Sequence, residues 1–141
     1  MIMLLNLNTV KSLFRSKIMA VEGIRASNLA SEGTIFTPPE NTEFWFRESY
    51  GDWVYDYTSE ECRRVTGTLT CEVYVRPDSG MRKADLLCSR ITAAFDPFAG
   101  PFGNESVQIQ PVSLRRIALS NDASWCSAGI RIEFAAWSNL R

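Results

Sequence analysis

The stretch Val65-Thr66-Gly67-Thr68-Leu69-Thr70-Cys71-Glu72-Val73-Tyr74-Val75-Arg76 decides the fold class. Its odd positions Val65, Leu69, Cys71, Val73 and Val75 are apolar, while Thr66, Thr68, Thr70, Glu72 and Arg76 alternate with them. Successive side chains of a strand point to opposite sides, so this alternation specifies a strand with one buried face. Pro77-Asp78-Ser79-Gly80 ends it, and Met81, Ala84, Cys88, Ile91 and Phe95 then recur at intervals of three or four. That spacing predicts a helix stopped by Asp96-Pro97, with Arg82, Lys83, Ser89 and Arg90 on its polar side. A helix so patterned lies on one face of a sheet.

Upstream, Phe44-Trp45-Phe46-Arg47-Glu48 is rich in strand-favouring aromatics, and Tyr50-Gly51-Asp52 closes it with turn chemistry. Residues 24–43 read as a long loop holding Thr37-Pro38-Pro39, with a short extended piece at Ile35-Phe36. Val10, Leu13, Phe14, Ile18 and Val21 predict an amphipathic helix from Thr9 to near Gly23, capped by Asn8 or Thr9. Downstream of the loop Phe98 to Gly103, Val107, Ile109, Val112 and Leu114 make a third strand whose phase shifts at Pro111, as a bulge or edge strand allows. A hairpin turn is expected at Ser120-Asn121-Asp122-Ala123. Beyond it the even positions Cys126, Ala128, Ile130, Ile132, Phe134 and Ala136 alternate with polar or small residues in a fourth strand. The order helix, strand, strand, helix, strand, strand predicts an α+β fold: a single antiparallel, about four-stranded sheet with two helices packed on one face. A chain of 141 residues fits one domain, residues 1–141.

Fifteen basic and sixteen acidic residues leave a formal charge of −1, without the cationic excess that marks most nucleic-acid binders. The chain has no histidine, which removes the commonest general base and metal ligand together with every Ser-His and Cys-His nucleophile. Cys62, Cys71, Cys88 and Cys126 show no C-x-x-C spacing, and since the last three fall on apolar faces, core thiols of a reducing compartment are expected rather than a zinc site or two disulfides. No signal peptide or membrane span is expected, since the apolar start Met1 to Leu5 is short and lacks a basic leader. The carboxylates Glu60-Glu61 and Asp52 with Asp56 read as solvated, and Gly100-Pro101-Phe102-Gly103 is no phosphate loop. No catalytic residue, metal or cofactor is expected.

Twelve of the fifteen basic residues are arginine, which points to contacts between proteins. The residues singled out are Arg47, Trp53, Tyr55, Arg63, Arg64, Phe98, Phe102, Arg115 and Arg116, because arginine and aromatic residues are enriched where proteins meet. Exposed edge strands also need covering, and another copy of the same chain is one way to supply it.

The runs Phe36-Thr37-Pro38-Pro39, Phe44-Trp45-Phe46-Arg47 and Gly67 to Pro77, followed by Ser79-Gly80 and the helix Ala84 to Phe95, resemble the tail terminator proteins of long-tailed bacteriophages. The resemblance spans about residues 9–137. It implies a virion structural protein that forms a homohexameric ring, caps the tail tube made of the major tail protein, stops its polymerisation and offers a joining surface to the head's connector. It further implies a place at the neck of the tail in the virion, assembly in the host cytoplasm, and a lumen through which genomic DNA passes without sequence-specific binding. A head-closure or other tail-completion protein is the alternative within that setting, and a small ligand-binding module or enzyme the alternative outside it. A ring joins unlike surfaces of neighbouring subunits, and the resemblance thereby makes the loop 23–43, the acidic and aromatic segment 48–62 and the loop 96–106 the candidates for those contacts. Trp53→Ala or Arg47→Glu is expected to abolish ring formation while leaving the monomer's melting unchanged.

Overall fold

The computed structural model describes residues 5–38, 42–58, 61–77, 81–121 and 125–138. In chain order, helix α1 (Leu7–Met19) leads to strands β1 (Leu29–Ala30), β2 (Phe44–Thr58) and β3 (Glu61–Val75). Helix α2 (Arg82–Ala94) follows, and then β4 (Phe102–Gly103), β5 (Val107–Asn121) and β6 (Cys126–Ser138). All six strands belong to one curled, half-barrel-like sheet in the order β1-β2-β3-β6-β5-β4.

This corrects the expected single four-stranded antiparallel sheet. The four long strands are joined by two-residue strands at each outer edge, and β1 runs parallel to β2 through Leu29↔Phe46 and Ala30↔Arg47, so the sheet is mixed. Two residues are too few to carry a period, and only the return of each loop to the sheet brings them into the ladder. The expected extended piece at Ile35-Phe36 is not a strand; Ile35 is fully exposed and the Phe36 ring packs 5.2 Å from that of Trp45. The cap of α1 is Asn6, whose side chain accepts from the Asn8 amide at 2.9 Å, two residues before Asn8 and three before Thr9.

The strand entered at Phe44 does not end at Gly51-Asp52. Gly51 pairs with Thr68 and Val54 with Thr66, so Asp52 and Trp53 together stand opposite Gly67 as a bulge. Asp52 takes the left-handed conformation there, with φ 55°, which a short polar side chain tolerates. The turn residues therefore bend a continuing strand. Residues 48–58 thus continue β2, and 61–62 begin β3.

The core is one cluster built from Val10, Phe14 and Ile18 of α1, Ala84, Leu87, Cys88 and Ile91 of α2, the odd positions of β3 and the even positions of β6. Phe14 sits at its centre, fully buried against Phe134 at 4.6 Å and Phe102 at 5.5 Å between ring centroids. Cys71 and Cys88 lie in this core as free thiols, and burial pushes the Cys71 thiol up to about 12. Cys126 is free and half-buried, while the side chain of Cys62 lies outside the described residues.

Gly67 is where the bulge meets the core. A methyl group there would come within 3.0 Å of the Phe134 ring and 3.1 Å of the Trp53 ring. Gly67→Ala is therefore expected to lose about 1–2 kcal/mol, the overpacking exceeding the gain from a stiffer unfolded chain. Urea unfolding reads this as a lower midpoint with an unchanged slope; an unchanged or raised midpoint would show that the rings move aside freely.

Candidate assembly interface

The sheet's two faces differ. The helix-covered face carries the apolar alternation, and the opposite face carries the polar one: Arg47 and Ser49 on β2, Thr68, Thr70 and Glu72 on β3, Arg131 and Glu133 on β6, and Ser113 and Arg115 on β5. At one end of this polar face Trp45 stacks on Tyr74, with ring centroids 4.0 Å apart, and meets Trp125 edge-on at 6.0 Å. Arg47 lies 5.3 Å from the Trp45 ring and Arg76 only 3.9 Å from that of Trp125. Burial, with the hydrogen bond to Glu72, pushes the Tyr74 hydroxyl up to about 12. Arg47 is thus a member of a packed cation and aromatic cluster. Tyr74, Trp125 and Arg76 were not singled out, although Tyr74 stands among the alternating positions of 65–76 that face away from the core.

Trp53 turns inward instead. Its ring stacks at 6.0 Å on that of Tyr50 and meets Phe134 edge-on at 5.7 Å. Trp53→Ala therefore removes core packing, and unchanged melting is no longer the expected result for that variant. Phe102 is likewise half-buried, between Phe14 and Phe95 with Lys17 4.8 Å above its ring.

The other candidates lie on the sheet margins and on one loop. Phe98 is 97% exposed in a single 3-10 turn, Pro97–Ala99, capped by the Asp96 carboxylate. Tyr55 is exposed near the tip of the β2–β3 hairpin, beside Arg64, whose guanidinium lies 3.4 Å from Asp56. The side chain of Arg63 lies outside the described residues. Arg116 reaches Asp85 of α2 at 2.8 Å, and this hydrogen bond holds its guanidinium above the ordinary range. Arg115 is exposed on the polar face directly opposite Arg131.

Two of these places approach each other: the turn that carries Phe98 packs on β5, where Gln110 bonds the Pro97 carbonyl at 2.9 Å and Arg116 lines a groove with Asp96 and Pro97. Arg115 stands on the other face of β5, and Tyr55 belongs to β2 at the far side of the four long strands. A groove of about 520 Å³ lies elsewhere, between α2 and the segments 23–28 and 42–44, lined by Arg25, Glu43, Phe44, Lys83, Leu86 and Arg90. Two of its cations are engaged within the chain: Lys83 bonds Glu43 at 3.0 Å, and Arg90 donates to the Glu22 carbonyl at 3.1 Å. Among the described residues no group of three His, Cys, Asp or Glu side chains is placed to hold a metal, and no helix is long and apolar enough to cross a membrane.

No protein-family model matches the chain, and no curated protein matches its sequence. A solved structure whose name describes no activity aligns with 97% of this chain and 98% of its own, at 13% identity and a TM-score of 0.67. At that identity the likeness concerns the fold alone.

Proposed function

We propose that this chain is a structural virion protein of a long-tailed bacteriophage, a terminator that assembles as a ring on the tail tube, halts its growth and receives the head's connector. The observation that carries this reading is the placing of exposed residues on two unlike margins of the sheet, Val54 and Tyr55 on β2 and Phe98 with Arg115 at β5. A cyclic assembly joins one surface of each subunit to a different surface of the next, so its subunits need at least two unlike patches, and further ones for the rings above and below. The loop with Phe98, the β2–β3 hairpin with Tyr55, and the β5 face with Arg115 supply such a set. The partners are then other copies of this chain, the major tail protein and the connector, at the neck of the virion after assembly in the host cytoplasm. A formal charge of −1 suits a lumen that passes DNA without gripping its phosphates.

Electron microscopy of lysates from a phage with this gene disrupted tests the proposal. Full heads beside overlong, unjoined tails are expected. Tails of normal length beside unattached or leaking heads would refute termination and favour the head-closure alternative.

A further inference from the structure

Both outer long strands of the sheet are covered along only part of their length. On β2 the parallel strand β1 reaches Phe46 and Arg47, and the Glu32 carboxylate takes the Tyr50 amide at 2.5 Å; among the described residues no strand covers 51–58. On β5 the strand β4 reaches Gln108 and Ile109, and Gln110 bonds the Pro97 carbonyl at 2.9 Å; among the described residues no strand covers 112–121. Long uncovered edges offer unpaired amides and carbonyls to another chain, and proteins that stay monomeric blunt them. Here the free run of β2 instead exposes the strand-favouring Val54 and Tyr55, at 60% and 41%.

The two edges match. Three antiparallel junctions separate β2 from β5, so the two strands run in opposite directions. Copies standing side by side in the same orientation therefore bring β2 of one against β5 of the next as an antiparallel pair. Centring the two free runs on each other sets Asp56 opposite Arg115 and Tyr55 opposite Arg116. Asp56 pairs with Arg64 on the polar face, and Arg115 with Arg131 on the same face, so the two side chains meet on one side of the joined sheet.

Arg115 has reason to seek a carboxylate. It stands directly across from another arginine, an arrangement that destabilises a strand pair, and among the described residues it makes no ion pair, the diagonal Glu133 accepting from Ser113 at 3.1 Å. Among the described residues Asp56 meets the exposed Arg64 at 3.4 Å through one carboxylate oxygen, which leaves it acceptor capacity.

The offset between the runs is also lawful. Asp56 lies level with Trp137 and Arg115 with Arg131, six residues apart along β6. Six residues are about 20 Å along a strand, and four strands are about 19 Å across, which gives strands tilted by about 45°. Closed sheets have tilts of roughly 35–45°.

We infer that copies of this chain join by pairing β2 residues 51–58 of one with β5 residues 112–121 of the next, Asp56 facing Arg115, so that their sheets become continuous around the assembly. This deepens the ring reading above and rests on it for the identity of the occupant. The test uses Asp56→Cys and Arg115→Cys, singly and together, in full-length protein carrying Cys62→Ser and Cys126→Ser, with a thiol crosslinker spanning about 8 Å, matched to cross-strand neighbours. At near-millimolar protein, the double variant should give a ladder from dimer upward to a closed species, and each single variant at most dimers. In the unmodified background, Asp56→Arg and Arg115→Asp should each lower the fraction assembled at least tenfold, and their combination should restore it. A double-cysteine variant that stops at the dimers of the single variants overturns edge pairing. A ladder from a chain whose disruption leaves tail length normal keeps edge pairing and removes the terminator reading, and overlong tails without a ladder do the reverse.

Discussion

Replacing Phe14 with alanine is expected to remove about 3–5 kcal/mol of folding stability, the range seen when a fully enclosed aromatic is truncated and its cavity cannot collapse. Phe14 is completely buried, and its ring lies within 6 Å of four others, those of Tyr50, Phe95, Phe102 and Phe134. Those rings come from β2, the residue closing α2, β4 and β6, so one side chain ties the first helix to both halves of the sheet. Edge-on and tilted ring pairs add to the burial, and the neighbours are held by their own strands and cannot close the gap. Urea unfolding followed by tryptophan fluorescence should show the unfolding free energy falling by that amount. A loss below about 1 kcal/mol would mean that the cluster repacks as a fluid, against its tight contacts.

The second large effect is expected at Arg15. Glu48 is the most enclosed charged residue of the sheet, its side chain entirely shielded, and it is held by an ion pair with Arg15 of α1 and by the Tyr50 hydroxyl at 3.1 Å. Arg15→Leu leaves that carboxylate enclosed with a single neutral donor. Breaking such a pair on one side costs about 3–5 kcal/mol when both partners are buried. Arg15 is partly exposed, so water reaches the gap and about 2–4 kcal/mol is expected. Removing both charges in Arg15→Leu/Glu48→Leu should recover most of the loss, because an apolar pair of similar shape needs no desolvated partner. Equal losses in the single and double variants would show that packing, and not the stranded charge, sets the cost.

Ring formation draws on different residues. Phe14, Arg15, Glu48, Gly67 and Trp53 hold the monomer together, whereas Tyr55, Asp56, Arg115 and Phe98 lie on its surface. Variants of the first group should lower stability first and assembly only as a consequence. Variants at Asp56 and Arg115 should leave the unfolding free energy within about 0.5 kcal/mol of the parent, as exposed substitutions usually do. Arg116 differs from its neighbour, since its bond to Asp85 anchors β5 to α2 and a change there disturbs both.

The sequence by itself determined the long elements. Alternation over 65–76 and 126–136, and three- and four-residue spacing over 10–21 and 81–95, placed two strands and two helices close to where they stand. The phase break at Pro111 marked a register shift that the structure has between Pro111 and Ser113. These features are local: each residue's side of a helix or strand follows from its neighbours' spacing, and burial of one face enforces it. Tertiary structure alone decided the rest. Leu29–Ala30 and Phe102–Gly103 became strands because their loops return to the sheet edges, which turned the expected four-stranded antiparallel sheet into a mixed one of six. Asp52 bent β2 without ending it, which sent Trp53 into the core instead of onto the surface. The meeting of Arg15 with Glu48 and the facing of Arg115 by Arg131 join residues distant along the chain. Such contacts are fixed by register and by the path of the loops, and neither leaves a period in the sequence.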